Sequence, residues 1–131
     1  MILFTHNTSP FGRLVILAAH VLDIMSDIEL RDVNSRDEND EIRKINPLGK
    51  MPALVSGKNT YYDSRVILEY MNFIAIGKKI FPSDCEEKLI VQTELSRAIG
   101  MMDAAVLIVY ERRLRPEDKV VESIIEYQRD K

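Results

Sequence analysis

The apolar positions of this chain change period several times, and each change marks an element. Residues 1–6 form a short apolar run that reads as a strand. From Pro10 onward, Leu14, Val15, Ala18, Val21 and Leu22 recur at the spacing of one helical face. Ser9 stands as the N-cap and Pro10 at the first helical position. Ile28, Leu30 and Val33 predict a second strand over about residues 27–33, and residues 41–45 a short helix that Pro47 must end. Ala53, Leu54 and Val55, then Thr60, Tyr61 and Tyr62, read as two strands joined by a hairpin turn at residues 56–59. Val66, Ile67, Tyr70, Met71 and Ile74 predict a helix over about residues 64–76. The order is β-α-β-α-β-β-α. Early strand–helix alternation implies a parallel pair and the hairpin adds antiparallel strands, so the expected fold is α/β, a mixed four-stranded sheet with helices on its faces.

Gly77, Pro82 and the polar residues around them break the periodicity, and residues 77–86 read as a linker. Beyond it, Leu95, Ile99, Met102, Val106 and Val109 step by alternating four and three, which predicts one long helix over about residues 86–113. Pro116, Glu117 and Asp118 open another, with Val120, Val121, Ile124 and Ile125 on one face. The expected division is an α/β domain at 1–76, the linker at 77–86, and two helices of a partial all-α domain at 87–131. Two amphipathic helices close a core less readily than four or more.

Charge narrows the function classes. A net charge of −3 gives no electrostatic case for nucleic acid, which wants a basic face. Arg112, Arg113 and Arg115 cluster, as a phosphate patch or as the cations a helix C-terminus collects. The run Asp37, Glu38, Asp40 and Glu41 reads as a solvated loop and the first turn of a helix. No stretch approaches the ~18 consecutive apolar residues of a membrane span, and residues 1–6 lack the layout of a signal peptide. No membrane partner is expected, and the cytoplasm is the default location. Cys85 is the lone cysteine, and His6 and His20 have no ligand spacing, so no metal is expected.

Three segments carry candidate chemistry. At the first turn of the first helix, backbone N–H groups lack intrahelical partners and the macrodipole is positive, so a thiolate there is stabilised. A serine hydroxyl at the cap can add a hydrogen bond to sulfur. Lowering a thiol pKa by about two units raises its thiolate fraction at neutral pH nearly a hundredfold. Ser9 fits that role or a plain cap, and Thr8 is its rival. Asn46-Pro47-Leu48-Gly49 punctuates a turn, and Met51-Pro52 is a candidate cis peptide. Asp63 and Ser64 precede a helix, where a hydroxyl and free N–H groups bind carboxylates and an aspartate can hold an ammonium; an ordinary cap is the alternative.

The block Asn46 to Leu54, followed by Asp63-Ser64 and preceded by Thr8-Ser9-Pro10-Phe11, resembles the glutathione transferase family, whose N-terminal domain is thioredoxin-like. The resemblance runs over roughly the whole chain and is strongest over residues 1–75. It implies glutathione as co-substrate. Ser9 then matches the active serine or cysteine, and Met51 pairs through its backbone with the cysteinyl unit. Lys50, otherwise an exposed turn lysine, faces the glycyl carboxylate, while Asp63 and Ser64 hold the γ-glutamyl end. It also implies a hydrophobic electrophile as second substrate, a role in detoxification, and a homodimer formed around the long helix. Family members usually carry a complete helical domain, so this chain resembles one that stops inside it. Two departures matter. Many members have Glu or Gln where Asp63 stands, one methylene longer. Ser9 and Gly12 occupy the two positions of a redox Cys-x-x-Cys pair, which excludes that disulfide exchange; Cys85 falls in the expected linker. The leading expectation is an enzyme that adds glutathione thiolate to electrophilic carbon. The alternatives are a non-enzymatic binding or regulatory protein of the same fold, and glutathione-dependent reduction or isomerisation.

Overall fold

The computed structural model describes residues 1–131 and divides them into two compact units, Met1–Pro82 and Ser83–Lys131. In the first, strands β1 (Ile2–Thr5), β2 (Glu29–Asp32), β3 (Ala53–Ser56) and β4 (Asn59–Tyr62) form one sheet in the order β2-β1-β3-β4. β1 runs parallel to β2 and antiparallel to β3, and β3 is antiparallel to β4. This is the expected mixed four-stranded sheet.

β1 is a continuous apolar run because it is central and covered on both faces. Leu3, Phe4 and Thr5 are all buried. Thr5 faces helix α1 (Pro10–Val21), which approaches so closely that a Cβ at Gly12 would overlap the Thr5 hydroxyl. Phe4, on the other face, packs with Val33, Ala53 and Ile42 of the short helix α2 (Ile42–Ile45). Phe4, Val33 and Ile42 each contribute about 1.5–3 kcal/mol by leaving water. Helix α3 (Ser64–Ile74) buries Ile67, Leu68 and Met71 and packs beside α1, which buries Val15, Ala18 and Ala19. The edge strands β2 and β4 are mostly exposed. On β2, Arg31 lies over the Phe4 ring and pairs with Glu29 and Glu41, charges of the kind that keep an edge from pairing with another chain.

Two boundaries in this unit differ from expectation. Ser56 pairs with Asn59, so the hairpin turn is the two residues Gly57-Lys58, not residues 56–59. Gly57 has φ +59°, the positive first position of a II′ turn. α3 stops at Ile74, short of residue 76, because the following chain folds back and takes up its end. Lys79 Nζ donates to the Asn72 and Ala75 carbonyls at 2.7 and 2.5 Å. Asn72 Oδ1 accepts from the N–H groups of Ile80 and Phe81.

The second unit is helical. α4 (Cys85–Leu114) is capped by Asp84, whose carboxylate accepts from the Glu87 N–H at 2.9 Å, with Glu86 and Glu87 in the positive first turn. Cys85 therefore stands in a helical turn, where the sequence reading had put linker. The second helix begins later than expected: Pro116 leads into a single 3-10 turn (Glu117–Lys119), and α5 spans Glu122–Arg129. Val120 and Val121 lie ahead of it in extended backbone. Glu111 explains the delay. Its buried carboxylate accepts from the Val121 N–H at 3.1 Å and from Arg115 Nε at 2.7 Å, fixing the chain in extended form there. Arg112 pairs with Glu122, so two of the three clustered arginines serve the helix end. No helix is long and apolar enough to cross a membrane.

Candidate functional site

Strand register gathers the three candidate segments. Arg31, Phe4, Ala53 and Tyr62 stand side by side in one row across the sheet. The chain passes this row from Phe4 toward Thr8 and Ser9, reaches it at Ala53 from Lys50-Met51-Pro52, and leaves it from Tyr62 into Asp63-Ser64. All five proposed residues, Ser9, Lys50, Met51, Asp63 and Ser64, therefore lie at the same end of the sheet. β1 running antiparallel to β3, with β3 and β4 forming a hairpin, is what produces this convergence.

At the start of α1, Ser9 is 9% exposed and its Oγ accepts from the Gly12 N–H at 3.1 Å. That is a cap bond; it uses one lone pair and leaves the O–H free to donate. Thr8 is exposed, and its hydroxyl lies 2.8 Å from His6 Nδ1. The Thr8 N–H donates to the same nitrogen at 3.2 Å. The other ring nitrogen, Nε2, is 4.0 Å from Asp32 Oδ1 at the end of β2. Sequence reasoning passed over His6 and Asp32. Only the parallel pairing of Thr5 with Asp32 brings them together.

The turn before β3 is held by Asn46, which is 2% exposed. Its side chain donates to the Lys50 carbonyl at 2.7 Å and accepts from the Leu48 N–H at 3.0 Å. Gly49 takes φ +60°, and the Arg43 guanidinium lies 2.7 Å from where a Cβ would stand. Asn46 was read only as turn punctuation; its side-chain bonds are the Asx-turn chemistry that makes asparagine common there. The Met51-Pro52 peptide is cis. Met51 follows this braced turn, and no turn or loop hydrogen bond engages its N–H or C=O. Lys50 is exposed.

At the head of α3, Asp63 has φ 69°, a left-handed value uncommon for a side chain with a Cβ. The cap bond stabilises it, Oδ1 accepting from the Arg65 N–H at 2.9 Å. Oδ2 remains available. Ser64 is 6% exposed at the first helical position, where N–H groups have no intrahelical acceptor. No group of three or more His, Cys, Asp or Glu side chains is placed to hold a metal ion.

The family model for the glutathione S-transferase N-terminal domain matches residues 3–75. YibF of Escherichia coli K12, described as an uncharacterised GST-like protein, is 32% identical over 127 residues, 95% of this chain and 60% of its own length. A glutathione transferase family member from Pseudomonas fluorescens Pf-5, solved with bound glutathione, is 33% identical with a TM-score of 0.90 over 98% of this chain and 64% of that one. A glutathione S-transferase from Methylobacillus flagellatus KT, also with glutathione bound, is 35% identical with a TM-score of 0.90 over 98% and 63%. The chain spans about three fifths of the length of these relatives. The thioredoxin-like sheet, the turn ahead of β3 and this likeness lead to one conclusion: the chain belongs to the glutathione S-transferase family.

Proposed function

We propose that this chain binds glutathione at the end of the sheet marked by Phe4, Ala53 and Tyr62, and activates its thiol for addition to an electrophilic small molecule. The observation that carries this reading is the convergence there of two helix N-termini and the Met51 backbone. Glutathione needs those elements in that order. Its γ-glutamyl carboxylate takes the Ser64 hydroxyl and the free N–H groups of α3, while its ammonium takes Asp63 Oδ2. Its cysteinyl unit pairs with Met51 in the manner of an added strand. Its glycyl carboxylate takes the Lys50 ammonium, and its sulfur sits at the start of α1, where the dipole and the remaining Ser9 O–H stabilise the thiolate. The sulfur then bonds to the electrophilic carbon, and the leaving group departs with its electron pair. The Pseudomonas and Methylobacillus relatives with glutathione bound support the ligand. The protein acts in the cytoplasm as a homodimer, on a hydrophobic electrophile, in detoxification.

A second reading is binding without catalysis. The engagement of Ser9 Oγ in the α1 cap favours it. Retention on immobilised glutathione, followed by calorimetric titration, tests the first step that both readings share. Conjugation of a generic aryl halide separates them. Binding with turnover supports the enzyme, binding without turnover supports the second reading, and no binding overturns both.

A further inference from the structure

We infer that Thr8, His6 and Asp32 form a proton relay that deprotonates the glutathione thiol, a role distinct from the stabilisation of the formed thiolate by Ser9. The inference rests on the proposed glutathione site. Two hydroxyls stand at the start of α1, and their surroundings differ. Ser9 is buried and receives the Gly12 N–H. Thr8 is exposed and its hydroxyl lies 2.8 Å from an imidazole nitrogen.

The direction of that bond follows from the backbone. Because the Thr8 N–H donates to His6 Nδ1, this nitrogen is the ring acceptor, and the ring proton sits on Nε2, toward Asp32. The Thr8 hydroxyl thus gives its proton to Nδ1 and turns its lone pairs outward. A hydroxyl so oriented cannot donate to a sulfur, but it can receive the proton of a thiol. In the relay the S–H bond breaks and its proton joins Thr8 Oγ1. The original hydroxyl proton passes from Oγ1 to His6 Nδ1. The electron pair stays on sulfur, and the imidazolium formed faces the Asp32 carboxylate at 4.0 Å. Nδ1–H then donates back to Oγ1, and the longer 3.2 Å contact with the backbone N–H is given up.

The charged contact of the ring fits this assignment. Asp32 of β2 is within 4.0 Å, and its neighbour Arg31 is engaged by Phe4, Glu29 and Glu41. Within the relay Thr8 is the member that touches sulfur; His6 and Asp32 are positioning residues that act through it.

The test follows the ultraviolet absorbance of bound thiolate against pH in the full chain, with glutathione affinity measured beside it. His6→Asn keeps an acceptor near the Nδ1 position but cannot take the proton. It and Thr8→Val are expected to move the thiolate curve up by about one pH unit, a tenfold loss of thiolate at a fixed pH below it. Affinity for the protonated peptide is expected to change less than about twofold. Thr8→Ser retains the wild-type curve, and Asp32→Asn shifts it in the same direction by less. A His6→Asn curve that coincides with wild type while glutathione still binds overturns the relay and leaves the glutathione site standing. Wild-type protein that fails to bind glutathione overturns the site and the relay with it.

Discussion

Thr5 and Gly12 mark a close approach of α1 to the sheet, and the fit is bought at a polar cost. The Thr5 hydroxyl is buried with no hydrogen-bond partner, and an unsatisfied buried group costs about 1–3 kcal/mol. Thr5→Val keeps the shape and removes the hydroxyl, so it is expected to raise stability by about 1 kcal/mol in urea unfolding. Gly12→Ala is expected to lower it by about 1–3 kcal/mol, because the added methyl meets Thr5 in a packed layer. At the proposed glutathione site, burial separates residues of similar apparent role. Ser64 is held at a helix start, whereas Lys50 is exposed and must give up side-chain freedom to bind. Ser64→Ala is therefore expected to weaken glutathione binding by about 1.5–3 kcal/mol, and Lys50→Ala by less. Calorimetric titration of both variants checks the order, and equal losses contradict it.

The loop that leads into α2 shows how a local polar group sets an element. Asp40 accepts from the N–H groups of Asn34 at 2.7 Å and Ile42 at 2.8 Å, and these bonds hold its carboxyl below the usual carboxylate range. Its contribution to stability is complete above the unfolded carboxylate value. It is lost as the pH falls toward the lower folded value, where the unfolded chain has taken up the proton and the folded chain has not. Asp40→Asn is expected to be less stable at neutral pH and to show a shallower loss between about pH 5 and 3, read from urea midpoints. The acidic run was visible in the sequence, but which acid capped which N–H was not. The same division holds elsewhere. The period changes placed every strand and the helices α1, α3 and α4, since periodicity reports which face is buried. The boundaries that moved were decided by side chains distant in sequence: Lys79 and Asn72 at the end of α3, and Glu111 ahead of α5. The family's motif residues were legible because each stands beside a proline, a glycine or a helix start. His6 and Asp32 belong to no local pattern, and parallel pairing alone unites them.

At the scale of the whole molecule, α4 carries more apolar surface than α5 can cover. At 1.5 Å per residue the 30-residue α4 is about 45 Å long and the eight-residue α5 about 12 Å. α5 buries Ile125 fully, while Leu89, Ile90, Met101, Leu107 and Leu114 of α4 stay exposed. Exposed apolar side chains in this number mark an interaction surface, and a second copy can cover them through two-fold symmetry. The chain is therefore expected to be a homodimer by light scattering at about 10 μM, where a Kd of ~1 μM leaves most chains paired. Ile90 and Leu107 lie near opposite ends of the helix. Charged substitution of an exposed side chain spares the fold but costs heavily at an apolar interface, where the charge would lose its water. Ile90→Glu or Leu107→Glu is expected to give a folded monomer with an unchanged circular dichroism spectrum. Wild-type protein that scatters as a monomer at that concentration contradicts the dimer. A dimer that survives both substitutions moves the interface away from these positions of α4.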